Sequence, residues 1–214
     1  MGRPREHDDD TRRALLDAAE RIVEQDGPDA LSVRAVADAV GLSTRAVYST
    51  FGSKAGLLDG LAQRAYELLA ASIQDLPVTD DPAADVVEAA LQVFRPMAIG
   101  HPSLFRLAFL RIVPDLEIGS GTRAASAEAF DLLVERFERL AASEALGDRT
   151  PRAAAIVFNA LCEGMATCEL RISGLLGPRP EAAWREAFTA LVGGLVPGPG
   201  TRKPSRYARR PTPS

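Results

Sequence analysis

The stretch that decides the fold of this chain is Leu31–Leu58, which reads LSVRAVADAVGLSTRAVYSTFGSKAGLL. Counted from Val33, a small residue, Ala37, stands at the fifth position and Gly41 stands at the ninth. A small residue allows two helices to approach closely, and a glycine can adopt the left-handed conformation that reverses the chain between them. This spacing predicts a helix-turn-helix, with Ser43 at the start of its second helix.

Hydroxyl groups stand at the ends of these short helices. Ser32, Ser43 and Ser53 each precede a predicted helix, where a serine side chain can accept a hydrogen bond from the first turn. The N-termini of helices also bind phosphate groups. The hydroxyls of Tyr48–Thr50 stand near the end of the second helix, where neutral groups would hydrogen-bond a nucleic-acid backbone without adding charge.

Helical patterns continue on both sides of this stretch. The first helix is predicted to open at Asp8–Thr11 and to end at Gly27–Pro28, and a longer helix runs from Ser53 to about Gln74. No stretch alternates as a strand, so the predicted fold is all-α, with an N-terminal three-helix helix-turn-helix domain joined to a larger helical domain. The larger domain is predicted to contain helices at about 82–99, 102–112, 122–145, 149–174 and 180–195.

Composition and charge narrow the class of protein. With 214 residues, of which 46% are apolar, the chain can bury one substantial core or combine a small domain with a larger one. A net charge of −4 argues against indiscriminate binding to nucleic acid. The segment 30–54 nevertheless has a net charge of +2, because it contains one acid, Asp38, and three basic residues, Arg34, Arg45 and Lys54.

The sequence also predicts the cellular compartment. No apolar run reaches the roughly 20 residues of a membrane span, and the first ten residues lack the apolar core of a secretory signal. Cys162 and Cys168 are the only cysteines, and on one helix they would point in different directions, which prevents a disulfide between them. We therefore expect a cytoplasmic protein with reduced thiols and no membrane partner.

Residues 11 to about 61 resemble the N-terminal signature of the TetR family of bacterial transcriptional regulators. The resemblance rests on the serine that opens the second helix, the Gly-Leu-Ser turn, the Tyr-x-x-Phe of the recognition helix and the Ser-Lys that begins the fourth helix. The family pattern usually has a histidine or tyrosine directly after the tyrosine. Ser49 and Thr50 stand there in this chain, so a shorter reach to the DNA backbone is expected.

This resemblance implies a set of DNA contacts. The residues implied to contact phosphate are Ser32, Tyr48 and Lys54, with Ser49 beside them, and those implied to contact bases or lie near them are Arg34, Ser43, Thr44 and Arg45. Val47 and Phe51 are expected in the core. The alternative interpretation is that Tyr48 and Thr50 only complete a packed helix and that Arg45 lies on a solvated face.

Both ends of the chain carry basic residues. The segment 2–5, GRPR, would either enter a minor groove or form a simple disordered start. The tail would either add non-specific affinity for DNA or only solvate the protein. The predicted organisation is a flexible arm, a helix-turn-helix DNA-binding domain, a helical ligand-binding and dimerisation domain and a disordered basic tail, at residues 1–10, 11–60, 61–196 and 197–214.

The middle helices of the larger domain supply bulky apolar side chains. They would either form a plain core or line a cavity for an apolar or amphipathic small molecule, with Arg95, His101, Asn159 or Glu163 as polar contacts. The candidate ligand-binding residues are Phe94, Met97, His101, Phe105, Phe109, Phe130, Phe158, Asn159 and Cys162.

The last two predicted helices have patterns suited to pairing with a second chain. The first has small residues that permit close approach: Ala153, Ala154, Ala155, Ala160, Gly164 and Ala166. The second has an apolar stripe that would cover either the domain's own core or a partner: Trp184, Phe188, Leu191 and Leu195. The resemblance implies that these helices form the interface of a homodimer.

Together these features predict a DNA-binding transcriptional regulator that responds to a small-molecule effector. It is expected to be a repressor that binds a palindromic operator as a homodimer. The alternatives are a helical-domain enzyme and a protein-binding module without specific DNA binding. His7 and His101 have no partner at metal-ligand spacing, and no serine-nucleophile motif or cysteine pair is found, so we predict no catalytic residue, metal or cofactor.

Overall fold

The predicted helix-turn-helix is present in the computed structural model, which describes residues 3–195 except 111, 112, 114, 115, 144, 145, 147, 148 and 173. The described residues form ten α-helices and one π-helical turn, and no strand occurs among them. The all-α fold class is therefore confirmed. The predicted disordered tail, residues 197–214, lies outside the described residues.

Four helices build the N-terminal domain and its connection to the rest of the chain: α1 (Arg3–Asp26), α2 (Val33–Ala39), α3 (Thr44–Phe51) and α4 (Lys54–Asp75). Helix α1 begins before the predicted opening at Asp8–Thr11, so residues 3–10, expected as a flexible arm, are helical. Pro4 does not prevent this, because proline is tolerated in the first turn of a helix. Helix α4 continues through the predicted domain boundary after residue 60 and so contributes to both domains.

The turn between α2 and α3 has the geometry that the glycine predicted. Gly41 has a φ of +69°, in the left-handed region that residues with a Cβ adopt at a cost. The N–H of Leu42 donates to the carbonyl of Ala37 at 3.0 Å, and the N–H of Gly41 donates to the carbonyl of Asp38 at 3.3 Å. This pair of bonds is a Schellman motif, which satisfies the last carbonyls of α2 while the chain reverses.

Six more helices form the larger domain: α5 (Pro82–Ala89), α6 (Arg95–Gly100), α7 (Pro102–Ala108), α8 (Ser120–Ala142), α9 (Pro151–Arg171) and α10 (Pro180–Leu195). Helix α4 packs against α7 and α8, α8 packs against α9, and α10 packs against α5 and α9. Phe158 lies at the centre of the core, with ring centroids 5.6 Å from Phe137 and 4.9 Å from Phe188. Such edge-to-face contacts stabilise the core beyond the burial of area alone.

A π-helical turn, Ala90–Phe94, interrupts the helix predicted at about 82–99. In it, the N–H of Arg95 donates to the carbonyl of Ala90, five residues earlier. Pro96 follows directly, and in a regular α-helix its ring would clash with the carbonyl of Gln92. The widened turn relieves this conflict and keeps α5 and α6 on one continuous path.

The apolar stripe of α10 covers the domain's own core. Trp184, Phe188 and Leu195 are buried within the single chain and Leu191 is half-buried, so the stripe packs mainly on the domain's own core. The small residues of α9 divide between two faces. Ala154, Ala155 and Ala166 are buried, whereas Ala153, Ala160 and Gly164 are exposed.

Helix α9 is also long and apolar enough to cross a membrane by length and composition alone, although the sequence analysis expected no such segment. Core helices of water-soluble proteins pass the same test, so this is weak support for a span. Phe158 and Cys162 on α9 are buried against the rest of the domain, although only 28% of the apolar window of the helix is buried within this chain.

Candidate DNA-binding surface and ligand cavity

Serine side chains cap the three helices around the turn, as predicted. The Oγ atoms of Ser32, Ser43 and Ser53 accept hydrogen bonds from the N–H groups of Ala35, Ala46 and Gly56, at 3.1, 3.3 and 3.0 Å. Each cap satisfies a backbone donor that the helix itself leaves unpaired. The caps fix where each helix begins and therefore which residues of α3 face outward.

The residues predicted to contact DNA are all exposed: Ser32, Arg34, Ser43, Thr44, Arg45, Tyr48, Ser49 and Lys54. Tyr48 is the most apolar of them, and 54% of its surface is accessible. Val47, between Thr44–Arg45 and Tyr48 in sequence, is fully buried. Helix α3 therefore has one face in the core and the opposite face, with its hydroxyl and guanidinium groups, in solvent.

Two groups on this surface have local partners. Arg34 lies 3.7 Å from Asp38, but both side chains are largely exposed, and such pairs contribute little to stability. The hydroxyls of Ser49 and Thr50 donate to the carbonyl of Ala46, at 3.4 and 2.9 Å. Thr50 is half-buried, so the hydroxyl cluster presents mainly Tyr48 and Ser49 to solvent.

Phe51 holds the end of α3 against α4 through glycines that the sequence analysis did not single out. A Cβ on Gly56 would lie 1.9 Å from the carbonyl oxygen of Phe51, and one on Gly60 would lie 2.9 Å from its Cε1 atom. The guanidinium of Arg12 covers the same ring, 5.1 Å from its centroid. The Gly-x-x-x-Gly spacing of Gly56 and Gly60 is the sequence pattern from which this close approach could have been predicted.

Polar contacts join α1 to the larger domain. His101 Nδ1 lies 2.6 Å from Glu20 Oε1, and the backbone N–H of Ser103 donates to Glu24 Oε1 at 2.6 Å. Arg64 on α4 reaches Asp17 at 2.5 Å and Glu20 at 3.5 Å. His101, predicted as a ligand contact, is therefore placed at the junction between the domains.

A second junction joins α4 to the start of α8. Asp59 Oδ1 accepts hydrogen bonds from the N–H of Gly119 at 2.9 Å and from the hydroxyl of Thr122 at 2.8 Å. Gly119 is the N-cap residue of α8 and its own side chain can supply no cap, so Asp59 takes that role from another helix. The position of α8 thus depends on α4.

Between α4, the π-helical turn, α7, α8 and α9 lies a cavity with two adjoining chambers. The smaller chamber, here called the inner chamber, has a volume of about 270 Å³ and is lined by Tyr66, Leu69, Phe94, Ala108, Phe109, Ser126, Ala129, Phe130, Leu133, Asn159 and Glu163. The larger chamber, here called the outer chamber, has a volume of about 420 Å³ and is lined by Ala62, Tyr66, Ala108, Ile118, Thr122, Arg123, Ser126, Ala127, Phe130 and Arg152. Volumes of this order suit a small organic ligand.

The cavity contains only part of the predicted ligand-binding set. Phe94, Phe109, Phe130 and Asn159 line it, as does Glu163, which was considered as a polar contact. Its lining also includes Tyr66 on α4, whose hydroxyl donates to the carbonyl of Ala108 at 3.0 Å. The sequence analysis missed Tyr66 and Ser126, because neither stands out until α4 and α8 are packed together.

The remaining predicted ligand contacts lie outside the lining of both chambers. Phe105 stacks behind Phe109 with centroids 5.0 Å apart, and Phe158 packs edge-on to Phe94 at 5.4 Å. Met97 and Cys162 are buried in the core, and burial raises the pKa of the Cys162 thiol well above its ordinary value. These side chains support the cavity wall or the core behind it.

Arg95, another candidate polar contact, belongs to a partly buried network. Its guanidinium donates to both carboxylate oxygens of Glu169, at 3.1 and 2.8 Å. The indole N–H of Trp184 donates to the same carboxylate at 2.8 Å. The network fastens α6 to α9 and α10 and takes no part in the cavity.

Family profiles match both parts of the chain. Residues 15–61 match the profile described as bacterial regulatory proteins, tetR family. Residues 87–195, more than half of the chain, match the profile described as a tetracyclin repressor-like C-terminal domain. The chain belongs to the TetR family of bacterial regulators.

Solved structures share the fold of this TetR-family chain over most of its length. A protein of unknown function from Rhodococcus sp. RHA1 is 26% identical, with a TM-score of 0.76, and the match covers 87% of this chain and 96% of that one. The TetR family transcriptional regulator PfmR from Thermus thermophilus is 20% identical, with a TM-score of 0.61 and coverages of 83% and 96%.

A third structure, described as the molecular basis for control of antibiotic production by bacterial hormones, is 24% identical. Its TM-score is 0.65, and the match covers 88% of this chain and 98% of that one. No curated protein matches the sequence. The comparisons therefore establish the family and the fold, and the residues that distinguish this TetR-family member must be interpreted from its own structure.

Proposed function

We propose that this TetR-family protein is a transcriptional repressor that binds a palindromic operator as a homodimer and is released by a small molecule. The observation that carries the proposal is the exposed face of α3, where Thr44, Arg45 and Tyr48 surround a fully buried Val47. A capped helix with such a face fits the major groove of DNA. We place the protein in the cytoplasm. We also propose that it regulates transcription and does not catalyse a reaction.

On this surface the contacts divide by position along the helices. Arg45, Thr44 and Ser43, at the start of α3, face the edges of the bases, while Tyr48 near its end contacts a phosphate. Lys54 and Ser32, at the starts of the neighbouring helices, contact phosphates on either side. The ion pair of Arg34 with Asp38 is weak enough for Arg34 to exchange it for DNA.

The homodimer forms through the outward faces of α9 and α10. Ile156 and Val157 expose 55% and 48% of their surface beside the exposed small residues Ala153, Ala160 and Gly164. Exposed apolar side chains next to small residues suit close helix packing across a two-fold axis. Such a dimer places two recognition helices in successive major grooves, about 34–36 Å apart.

Release follows from the position of the cavity. Tyr66 on α4 and Ser126 on α8 line both chambers, and Asp59 ties the same two helices together. An effector that binds better when these helices are displaced shifts the dimer to a spacing that fits the operator poorly. The effector is a small apolar or amphipathic molecule, and no metal-binding cluster occurs among the described residues.

The test is fluorescence anisotropy of the purified protein with labelled DNA from the flanks of its own gene, across a salt series. Excess unrelated DNA serves as competitor. Saturable binding that survives the competitor, at two or four chains per site, would support the proposal. If protein that has been unfolded and refolded to remove bound molecules selects no sequence from fragmented genomic DNA either, the proposal is overturned.

A further inference from the structure

Glu163 is the feature of the cavity that the proposed function leaves unexplained. It lies on α9 and lines the inner chamber, whose other described lining side chains are apolar, aromatic or neutral polar. Burial raises the pKa of Glu163, and a hydrogen bond from Asn159 opposes that rise only in part. The folded protein therefore bears a free-energy cost for keeping a carboxylate in this chamber.

Only one of the two carboxylate oxygens has a partner among the described residues. Asn159 Nδ2 donates to Oε1 of Glu163 at 2.8 Å. Within the described part of the chain, no basic group forms an ion pair with Glu163. Every fully buried side-chain oxygen there has a hydrogen-bond partner, so Oε2, which has none, is not fully buried, and Glu163 lines the inner chamber. The inner chamber thus presents a negative charge to whatever enters it.

Aromatic rings line the same chamber as this charge. Tyr66, Phe94, Phe109 and Phe130 all line the inner chamber, and the centroids of Tyr66 and Phe109 are 5.0 Å apart. The face of an aromatic ring attracts a cation through its quadrupole, most strongly where water is excluded. A carboxylate and several aromatic rings in one chamber both favour a positively charged ligand group.

The basic side chains of the cavity lie in the outer chamber only. Arg152 lies over the Phe130 ring, 4.9 Å from its centroid, and forms an ion pair with Asp131 at 3.3 Å. The Arg123 guanidinium donates to the carbonyl of Ile118. An anionic ligand group could meet these arginines only in the outer chamber, and Glu163 would repel such a group from the inner chamber.

We infer that the inner chamber binds the positively charged group of an amphipathic organic cation, with Glu163 as the counter-charge and the aromatic rings around the cationic centre. The apolar body of the ligand then extends into the outer chamber past Phe130. This inference rests on the proposed function, because it takes the cavity to be the effector site. It narrows that effector from any apolar or amphipathic molecule to a cation.

The experiment compares two probes of nearly equal shape and a smaller anion on the same phenylbutyl chain, by isothermal titration calorimetry with the full-length protein. They are 4-phenylbutyl-trimethylammonium, the neutral hydrocarbon in which a tert-butyl group replaces the trimethylammonium group, and the anion 5-phenylpentanoate. Glu163→Gln keeps the size of the side chain and an acceptor for Asn159 while removing the charge. Glu128→Gln, an exposed position on α8 outside the cavity lining, is the matched control.

We expect the wild type and Glu128→Gln to bind the cation at least about tenfold more tightly than its neutral isostere. We expect Glu163→Gln to lose most of that preference while it still binds the neutral probe. Equal binding of the cation and its isostere by the wild type would overturn the inference, as would tighter binding of the anion or binding of none of the probes. Operator binding by the same preparations is measured separately, so failure here is distinguishable from failure of the proposed function.

Discussion

Asp59 on α4 accepts a hydrogen bond from the N–H of Gly119 at 2.9 Å, and thereby caps a helix that begins 61 residues later in the chain. The cap joins the helix that leaves the DNA-binding domain to the helix that lines both chambers of the cavity. An ordinary cap comes from a residue next to the helix in sequence. This cap comes from another helix, so a displacement of α4 would also displace the start of α8.

Asp59→Ala removes this cap and should lower the free energy of unfolding by about 1–2 kcal/mol. Urea denaturation followed by circular dichroism measures the change. Asp59→Asn retains an acceptor oxygen for the N–H of Gly119, so its free energy of unfolding should fall by less than that of Asp59→Ala. Equal stability of the alanine variant and the wild type would show that α8 is not held by this contact.

Lys54→Ala should weaken binding to every DNA sequence and reduce the slope of log K against log salt by about one, because one phosphate contact is lost. Tyr48→Phe should cost about 0.5–1.5 kcal/mol of binding through the loss of a hydroxyl contact to phosphate. Anisotropy across a salt series measures both effects. The control is Arg171→Ala, which removes a cation at the end of α9, outside the DNA-binding domain, and should leave the slope unchanged. If neither Lys54→Ala nor Tyr48→Phe changes the affinity for DNA, the proposed docking is wrong.

Val157→Arg should disrupt the homodimer, since it places a charge on the exposed apolar face of α9, and should cost about 2 kcal/mol or more of dimerisation free energy. Sedimentation equilibrium over a range of concentrations measures this, and operator affinity should fall in parallel. Val78→Arg makes the same change at another exposed valine, outside α9 and α10, and should have no effect. A dimer unaffected by Val157→Arg would place the interface elsewhere.

Gly56→Ala should destabilise the DNA-binding domain by about 1–3 kcal/mol, because the added methyl group would overlap the carbonyl oxygen of Phe51 and force the backbone to shift. Thermal unfolding of the purified variant measures the loss, and operator affinity should fall as α3 moves. Gly100→Ala introduces the same methyl group where no atom lies within 4 Å apart from its chain neighbours and the backbone of its own helix. A variant at position 56 that is as stable as the one at position 100 would contradict the observed packing.

Asp85 should contribute stability that disappears in acid. Burial raises the pKa of Asp85, whereas hydrogen bonds from Thr79 and Arg139 lower it. The hydrogen bonds together outweigh burial, so the pKa lies below the ordinary value of 3.8. The contribution is therefore complete above the unfolded pKa and is lost as the pH falls through the lower folded pKa.

The measurement is the difference in free energy of unfolding between wild type and Asp85→Asn from pH 7 to pH 2. We expect a difference of about 2 kcal/mol at neutral pH, which shrinks as the pH falls below 3.8. Comparing the two proteins cancels the titration of other carboxyl groups. A difference that stays constant down to pH 2 would show that the charge of Asp85 is not what stabilises the fold.

The sequence by itself determined the elements whose causes are local. The serine caps at Ser32, Ser43 and Ser53 and the left-handed turn at Gly41 each depend on a few neighbouring residues, so a single sequence was sufficient to predict them. The apolar periodicity likewise predicted the helices and the all-α fold. The π-helical turn before Pro96 was missed, because the same proline could equally have ended the helix.

Only the tertiary structure decided which side chains meet across the chain. His101 pairs with Glu20, 81 residues away, and no local pattern distinguishes a histidine at a domain junction from one in a cavity. The aromatic residues of the middle helices all appear apolar in sequence, yet Phe94 lines the cavity while Phe158 lies behind it. Helix packing sets that division, because it fixes the rotation of each helix about its own axis and therefore which ring faces the cavity and which faces the core.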